Sequence, residues 1–388
     1  MIISFEAENY LSFLRPARVD LTVGATAPDN YHFVRADGAR IAKIIGIYGA
    51  NASGKTNLLR IVPAVAEFIT QSFSKPLDST LPFPPHFFHK ELPVRIQVEF
   101  QTPEDGSRYR YTLEVQENRV ISESLKVKTS KLFSRVFERS WDGSAYKVIG
   151  LGEKHAANLR ENVSWLSWLA QYNVPEALSL LQYFKNITSN MITSSLRRQS
   201  WFGALFAAEF YKKHPDYTAR MIKQLNRWDI DIDDISFDRL QMPDSSEGPW
   251  MAYCVHKRGD KTVKLPMVEE SSGTNGLFSV LALVLPVLDN GGVAIIDELE
   301  TDLHPHMVEA LLDLFVQPDS NPKNAQLIFA SHADWLMDQL HKTQIVLVEK
   351  TEEGTEVFRL SDIKGVQARE NYSARYRSGA YGAVPELN

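Results

Sequence analysis

Hydrophobic residues in the first part of the chain recur mostly at every second position. Ile3, Phe5 and Ala7 alternate with polar residues, which is typical of a half-buried β-strand. Residues 94–100 and 109–115 show the same alternation on either side of a Pro-Glu-Asp-Gly turn. We therefore predict an antiparallel sheet in this part of the chain.

A different pattern begins at residue 41. The mostly apolar segment 41–48 runs into a glycine-rich turn, and the residues after the turn, 57–70, carry apolar side chains at helical spacing. The order strand, glycine loop, helix is predicted for this stretch.

The middle of the chain, residues 151–235, changes to helical spacing. From residue 236 onward short strands and helices alternate, which is typical of an α/β sheet. These changes predict an α/β fold in three parts: a first lobe at 1–150, a helical insertion at 151–235 and a second lobe at 236–388.

Composition narrows the class of protein. The 388 residues are 44% hydrophobic and 23% charged, which is ordinary for a globular protein and excludes a disordered chain. Lysine and arginine number 42 against 48 acids, a net charge of −6, so no overall positive field indicates nucleic-acid binding. The single cysteine, Cys254, excludes a disulfide framework and predicts a reducing, cytoplasmic environment.

Neither secretion nor membrane insertion is expected. The first residues have no basic region followed by a continuous apolar run, so they do not form a signal peptide. The longest apolar run, 277–288, contains Ser279 and Pro286 and is too short to span a bilayer. We expect it to be a buried core helix.

Residues 49–56, Gly-Ala-Asn-Ala-Ser-Gly-Lys-Thr, match the phosphate-binding pattern G-x4-G-K-[ST] between a predicted strand and a predicted helix. The glycines let backbone N–H groups face the phosphates, and the helix N-terminus adds its positive end. Lys55 is expected to reach the β- and γ-phosphates, and the Thr56 hydroxyl to bind Mg²⁺. The expected nucleotide contacts are Gly49, Asn51, Ser53, Gly54, Lys55, Thr56 and Asn57.

Two acids follow the apolar residues 293–296. A buried strand that ends in Asp297 and Glu298 places both carboxylates at the edge of the sheet where the phosphates bind. Asp297 is then expected at the Mg²⁺, and Glu298 as the base that polarises the attacking water. The alternative is a strand end capped by solvated acids.

Two other polar sites lie near predicted element ends. Ser271, Ser272, Gly273 and Thr274 precede the apolar helix and could form a second anion-binding end or a plain N-cap. His332 follows an apolar strand, and although a lone histidine is usually structural, this position predicts a sensor of the γ-phosphate.

Four elements in this order resemble the head of ATP-binding-cassette (ABC) ATPases. They are Walker A at 49–56, the signature at 271–274, Walker B with its catalytic glutamate at 297–298, and the switch histidine at 332. The resemblance implies a P-loop fold with a mixed central sheet, an antiparallel β-subdomain and a helical insertion. It also implies binding and hydrolysis of ATP with Mg²⁺, with Lys55, Glu298 and His332 as catalytic residues.

The same resemblance implies how the site is assembled. Residues 301–305 match the D-loop, with Asp302 as a nucleotide contact. The protein would form a head-to-tail dimer or a higher oligomer, in which residues 271–274 of one protomer close over the γ-phosphate held by the other. This signature departs from Leu-Ser-Gly-Gly-Gln, with Ser272 at the first glycine and Thr274 at the glutamine. A helical insertion replaces the long coiled coil of SMC and Rad50-type proteins.

A finer resemblance is to small prokaryotic AAA-type ATPases (AAA_15 or AAA_21) related to the OLD family, of the AbiLi/RloA branch, and to the ATPase subunit of PARIS antiphage systems. It rests on four stretches: residues 5–13, 269–274, 297–305 and 376–385. It implies a sensor or regulatory subunit in abortive infection, with a phage-derived trigger and a separate, nuclease-like effector. Only 56 residues follow His332 (388 − 332), which leaves no room for the Toprim nuclease domain of OLD proteins.

Two other functions stay open. A RecF-like DNA-repair ATPase would clamp duplex DNA, but the negative net charge and the lack of an extended arm disfavour it. A nuclease within this chain would need a metal dyad from the segment Asp231-Ile-Asp233-Asp234, chiefly Asp231 and Asp233. The place of this segment between a predicted helix and a predicted strand is typical of a polar turn. Direct contact with DNA or RNA is not decided by the sequence.

The remaining polar clusters have simpler interpretations. His304 and His306, with Glu300 and Glu309, are explained by a helix that begins at Pro305 better than by a metal site. The basic clusters are expected to be solvated faces: Arg197, Arg198, Lys257, Arg258, Lys261, Lys264, Arg369, Arg375 and Arg377.

ABC ATPases also carry a glutamine between Walker A and the signature. Gln71 and Gln97 are both candidates for it, and the sequence does not choose between them.

Overall fold

The fold is built on a seven-stranded antiparallel sheet and a six-stranded sheet whose first five strands are parallel. The computed structural model describes residues 1–24, 27–36, 38–191, 200–240, 248–352 and 354–385. The antiparallel strands, in spatial order, are β11 (Tyr146–Gly150), β10 (Phe133–Trp141), β9 (Arg119–Lys128), β8 (Arg108–Gln116), β7 (Val94–Gln101), β1 (Ile2–Glu8) and β2 (Ala17–Asp20).

The second, central sheet carries the phosphate-binding loop. Its strands, in spatial order, are β12 (Ile187–Ser189), β16 (Val293–Ile296), β17 (Gln326–Ala330), β6 (Ile44–Tyr48), β18 (Ile345–Thr351) and β19 (Gly354–Arg359). Strands β6, β16 and β17 are buried along their whole length, as expected of parallel strands covered on both faces. The strands predicted within residues 41–48, at residues 293–296 and just before His332 are confirmed.

Two small sheets and a set of helices complete the described chain. The small sheets are β13 (Asp234–Arg239), β14 (Trp250–Arg258) and β15 (Lys261–Pro266), and β3 (Thr22–Val23), β5 (Ala39–Ala42) and β4 (Phe33–Ala36). The helices are α1 (Lys55–Leu59), α2 (Ile61–Gln71), α3 (Trp165–Ala170), α4 (Pro175–Lys185), α5 (Ser200–Lys213), α6 (Pro215–Arg227), α7 (Ser272–Asn290), α8 (Pro305–Val316) and α9 (Tyr372–Arg377).

Alternate residues of the central strands face two different hydrophobic cores. Ile45 and Ile47 belong to the core shared with the antiparallel sheet, whereas Ile44 and Tyr48 belong to the core under α7 and α8. This alternation follows from the period of two along a strand. The central sheet therefore separates the two cores.

The helical segment 151–235 divides between these cores. Buried residues of α3 and α4 lie in the first core, and buried residues of α5 and α6 lie in the second. Between them, β12 pairs in parallel with β16 and extends the central sheet. The helices of this segment therefore pack into two different cores. The domain boundaries at 150 and 235 stay a prediction.

A buried ion pair joins the antiparallel sheet to α3. The side chains of Glu123 and Arg139 are both 0% exposed, and an Arg139 Nη1 donates to a Glu123 oxygen over 3.2 Å. Glu123 also accepts from Tyr111, from the Ser164 hydroxyl and from the backbone N–H of Trp165, at the first turn of α3. One buried carboxylate therefore binds two strands and the start of a helix.

Helix α7 contains the apolar run 277–288. The whole helix has 19 residues and, by length and composition, is long and apolar enough to cross a membrane. The prediction that the segment is too short to span a bilayer therefore holds for residues 277–288 and not for the whole helix. In the structure, 56% of its most apolar window is buried in the second core. This burial is what a core helix requires.

Candidate nucleotide-binding site

The predicted motifs meet at one edge of the central sheet. The phosphate loop (residues 49–56) follows β6, Asp297 and Glu298 follow β16, and His332 lies two residues after β17. Because these three strands are neighbours and run parallel, their carboxyl ends lie side by side. The sheet thus gathers residues that are far apart in sequence.

Glycines are required in the phosphate loop for close packing. A Cβ on Gly49 would lie 2.2 Å from the backbone oxygen of Val348 in β18, which is a backbone atom that cannot turn aside. Gly54 has a φ of +112°, and a Cβ there would lie 2.8 Å from Ser12 Oγ. The loop therefore fits between the next strand and the N-terminal segment only with these glycines.

Lys55 opens α1, and its side chain is buried against the phosphate loop. Its ammonium donates to the carbonyls of Gly49 at 2.7 Å and Ala50 at 2.9 Å. Burial lowers the pKa of Lys55, while the carboxylates of Asp297, Glu300 and Glu298 act in the opposite direction. The three acids therefore offset part of the cost of burying this cation.

Ser53 shows that the loop has unused hydrogen-bonding capacity. Its hydroxyl oxygen is buried and has no hydrogen-bond partner among the described residues, and the side chain as a whole is 1% exposed. A buried polar atom without a partner carries a free-energy cost that a bound polar ligand can remove. The loop therefore fits an anionic ligand such as a phosphate.

Thr56 and Asp297 form the oxygen-rich part of the site. The Thr56 hydroxyl donates to the Asp297 carboxylate over 2.8 Å, across 241 positions of sequence, and Asp297 is 6% exposed. Among the described residues, no group of three or more His, Cys, Asp and Glu side chains could hold a metal. A hydroxyl and one carboxylate suit Mg²⁺, which takes few protein ligands and completes its shell with water and phosphate oxygens.

Glu298 stands in a sharp turn after Walker B. Its φ is +50°, a left-handed conformation that is unfavourable for a side chain of this kind. The Thr301 hydroxyl donates to its carboxylate over 3.2 Å, and the Thr301 N–H donates to its backbone oxygen. Backbone strain of this kind persists only where the surroundings hold it, and it makes Glu298 a candidate functional residue.

Glu300 links Walker B to the switch segment. One of its oxygens accepts from the backbone N–H of His332 at 2.7 Å, while the other oxygen is buried without a hydrogen-bond partner in the described part of the chain. The His332 side chain itself is exposed. The position of this histidine therefore depends on an acid that our sequence analysis assigned to a helix start.

The signature segment (residues 271–274) begins α7. Ser271 is the N-cap: its hydroxyl accepts from the Thr274 N–H over 3.1 Å. The side chains of Ser271 and Ser272 are exposed, and a Cβ on Gly273 would come within 3.1 Å of the Asp302 carbonyl. Ser271 therefore caps the helix, and the exposed first turn can still contact an anion. The D-loop packs against this turn.

The other predicted nucleotide contacts lie around the loop. Asn51 is exposed at its tip, and the Asn57 side chain donates to Ser12 Oγ over 3.0 Å. Asp302 is exposed and has a φ of +63°. These residues lie on the phosphate loop, its helix or the D-loop, and their contacts with a nucleotide stay a prediction.

The simpler interpretations of the aspartate segment and of the histidine pair agree with the structure. Asp231 and Asp233 lie in the turn between α6 and β13, where Asp233 accepts from the Lys257 N–H. His304 is the N-cap of α8 and accepts from the His306 N–H. Arg197 and Arg198 lie outside the described residues.

The remaining single candidates are placed as follows. Cys254 is buried in β14, and burial, with Glu270 nearby, raises the pKa of its thiol to about 12. Gln71 is the last residue of α2, and Gln97 pairs with Glu6 inside the antiparallel sheet. Neither glutamine lies at the strand ends that bear the site.

Sequence reasoning missed Ser12, Glu300 and Asn190. Ser12 touches the phosphate loop from the N-terminal segment, and Asn190 hydrogen-bonds to the backbone of Asp297 from the end of β12. The helical spacing around residues 151–235 hid β12, because three residues are too few for a period of two to be recognised.

A cavity of about 390 Å³ lies beside the site, within the size range of small-molecule pockets. It is bounded by one face of α7, the D-loop, the end of β16 and α5, and Glu298, Asp302 and Asn190 are among the residues that line it. Glu298 and the signature helix α7 therefore line the same cavity.

Comparison with known proteins places this site in a family. Residues 44–338, more than half of the chain, match the AAA_21 family, whose description is "AAA domain, putative AbiEii toxin, Type IV TA system". No curated protein matches the chain.

Two solved structures of similar fold are SMC heads. The SMC head domain from Thermotoga maritima is 13% identical, with 92% of this chain and 98% of that chain covered and a TM-score of 0.43. The SmcHead bound to the C-winged helix domain of ScpA is 14% identical, with 92% and 97% covered and a TM-score of 0.50. The second similarity confirms the predicted α/β fold of an ABC-type head.

The family match includes the phosphate loop, the signature segment, Walker B and the switch segment, all within residues 44–338. The chain therefore belongs to the AAA_21 family of AAA domains, and its P-loop ATPase fold is similar to that of an SMC head.

Proposed function

We propose that the protein binds and hydrolyses ATP with Mg²⁺ at a site completed by a second copy. The observation that carries this proposal is the 2.8 Å contact between Thr56 and Asp297, beside the buried ammonium of Lys55. This arrangement offers hard oxygen ligands and a cation at the place where a P-loop holds the β- and γ-phosphates.

Each site residue then has a defined task. Lys55 and the backbone N–H groups of the phosphate loop bind phosphate oxygens, and Thr56 with Asp297 would hold Mg²⁺, which neutralises charge on the phosphates when bound. Glu298 orients and deprotonates the attacking water. His332, held through its backbone by Glu300, contacts the γ-phosphate side of the site.

The second copy would supply the signature segment. Ser271 and Ser272 are exposed, and the hydrogen bonds described for the Ser271 and Thr274 side chains join these two residues. Their outward position supports a contact with the nucleotide bound by the second copy. Because Asp302 packs on Gly273, a movement of the signature segment on dimer closure would also move the D-loop of the same chain.

Thr56→Val is expected to raise the Mg²⁺ concentration that gives half-maximal turnover by about 10-fold or more, since it removes a hydroxyl ligand and a hydrogen bond to a carboxylate. The measurement is ATPase rate against Mg²⁺ at saturating ATP. Thr70→Val is the matched control, because it removes a hydroxyl that donates to the Ala66 carbonyl within α2. An unchanged Mg²⁺ requirement in Thr56→Val would contradict the metal assignment.

For the cellular role, we propose a cytoplasmic sensor or regulatory subunit of an antiphage system that controls a separate, nuclease-like effector. This proposal follows the resemblance to antiphage ATPases, and the family description, which names a putative toxin of a type IV TA system, supports a role in a system with a second component. The ScpA complex shows an SMC head bound to another protein, so a head of this fold offers surfaces for a partner.

The cellular proposal is tested by copurification. A tagged Glu298→Gln protein, expressed with its neighbouring genes, is expected to carry a stoichiometric nuclease-like partner, detected by mass spectrometry and native sizing. A homodimer that instead carries nucleic acid and no protein partner would contradict the proposal and favour a RecF- or SMC-like clamp on DNA.

A further inference from the structure

Asn190 forms a two-sided hydrogen-bonded contact with Walker B. Its amide nitrogen donates to the Asp297 carbonyl over 2.9 Å, and its amide oxygen accepts from the Asp297 N–H, also over 2.9 Å. The side chain therefore fixes the peptide groups on both sides of one residue. Asn190 is not part of any motif that our sequence analysis identified.

The contact lies where the sheet no longer supports Walker B. Strand β12 pairs with β16 over three residues, and the last pair is Ser189 with Ile295. Beyond this pair, the Asn190 side chain makes the donor and acceptor contacts that the next rung of a backbone ladder would make. On the other side of β16, pairing with β17 ends at Ile296. Farther along that side the Leu299 N–H donates to the Ala330 carbonyl, whereas Asn190 holds the backbone of Asp297 itself from the β12 side.

Two catalytic features depend on the backbone that Asn190 holds. The Asp297 carboxylate must stay on Thr56, and Glu298, the next residue, must keep its left-handed φ of +50°. A strained turn persists only where its surroundings over-determine it. A hydrogen bond to the Asp297 carbonyl fixes the peptide plane that leads directly into Glu298.

We propose that Asn190 is a positioning residue that sets both the Mg²⁺-binding carboxylate of Asp297 and the catalytic carboxylate of Glu298. The inference rests on the proposed function, Mg²⁺-dependent binding and hydrolysis of ATP. An amide is needed because the contact uses one donor and one acceptor. Aspartate retains the acceptor and loses the donor, and alanine loses both.

The chain offers a matched control. Asn226 makes the same pair of hydrogen bonds with Ile232, donating to its carbonyl and accepting from its N–H, both over 3.0 Å. This contact closes the turn between α6 and β13, away from the strand ends that bear the site. Asn226→Ala therefore removes equivalent bonds without touching Walker B.

Asn190→Ala is expected to raise the Mg²⁺ concentration for half-maximal turnover and to lower kcat at saturating Mg²⁺, each by about 10-fold, the lower end of the effect of removing residues that orient metal ligands. Binding of a fluorescent ATP analogue in EDTA, which reports on the phosphate loop alone, should not change. Asn190→Asp should shift the same quantities, and it retains one hydrogen bond in case the alanine variant does not fold. Asn226→Ala should lower the thermal stability about as much as Asn190→Ala does, but it should change neither the Mg²⁺ concentration for half-maximal turnover nor kcat.

The outcomes separate this inference from the proposed function. If Asn190→Ala and Asn190→Asp keep the wild-type Mg²⁺ dependence and kcat, or if Asn226→Ala shifts them equally, Asn190 is a structural residue only. If the wild type binds ATP but does not hydrolyse it, the proposed hydrolysis is refuted. The role of Asn190 is then decided by the increase in ATP affinity on adding Mg²⁺, which should be smaller in Asn190→Ala than in the wild type. If the wild type binds no nucleotide, both proposals are overturned.

Discussion

Glu298→Gln is expected to lower the ATP turnover number by about 100- to 10,000-fold, the range for loss of a general base, while ATP affinity stays within about twofold. The amide keeps the size of the side chain and can still accept from the Thr301 hydroxyl, but it cannot take a proton from water. Phosphate release at saturating ATP measures turnover, and equilibrium binding of a fluorescent ATP analogue measures affinity.

Glu176→Gln is the control for the loss of one acid, since Glu176 is an exposed residue in the first turn of α4. Its turnover should equal that of the wild type. If Glu298→Gln hydrolyses ATP at a rate within about threefold of the wild type, Glu298 is not the base. If affinity falls together with turnover, the residue binds substrate rather than activating water.

The same variant should change the assembly. Because ATP then persists between two copies, the head-to-tail dimer should accumulate, and light scattering after size exclusion should show twice the monomer mass with ATP and the monomer mass without it. Adding Ser272→Arg places a bulky cation at the exposed signature and should return the protein to a monomer, whereas Ser130→Arg, in the exposed turn between β9 and β10, should not. A Glu298→Gln protein that stays monomeric at saturating ATP refutes the composite site.

Arg139→Met is expected to lower the free energy of unfolding by about 3–5 kcal/mol, which is the usual effect of breaking a buried ion pair. The methionine fills much of the volume, but the Glu123 carboxylate stays at 0% exposure without its cationic partner. Arg139 also donates to the backbone carbonyls of Val163 and Arg160, which lead into α3. Urea unfolding followed by far-UV circular dichroism measures the loss.

Arg95→Met is the matched control, because Arg95 pairs with Glu8 and Glu114 at the surface of the same sheet, with 56% of its side chain exposed. Its effect should stay below about 1 kcal/mol. Combining Arg139→Met with Glu123→Leu should recover only part of the loss, since Glu123 also binds Tyr111, Ser164 and the start of α3. A loss below about 1 kcal/mol in Arg139→Met would show that the pair contributes little to stability.

The sequence predicted the site best where the chemistry is contiguous. The phosphate loop needs two glycines at a fixed spacing, followed by a lysine and a threonine at the start of a helix, so eight neighbouring residues contain the information. The structure places them from the end of β6 to the first two residues of α1. The same holds for Walker B, because a fully buried strand followed by two acids is a local pattern. Strands β16 and β17 were predicted from unbroken apolar runs, which parallel central strands require.

Short or isolated elements escaped prediction for a physical reason. Strand β12 has three residues, which is less than two periods of alternation, and it is a strand because β16 offers it an open edge. The helices around it look alike in sequence, yet α3 and α4 cover one face of the central sheet and α5 and α6 the other. Helical spacing shows that a helix has an apolar face and does not say which surface buries it.

By itself the sequence determined the class of the protein, the residues of the phosphate loop and the acids of Walker B, since each of these depends on neighbours within a few positions. Only the tertiary structure decided that Thr56 contacts Asp297 across 241 positions, that Glu300 holds the backbone of His332, and that Asn190 holds that of Asp297. Hydrogen bonds between distant residues depend on strand order and register. Those are set by the packing of the whole sheet rather than by any local pattern.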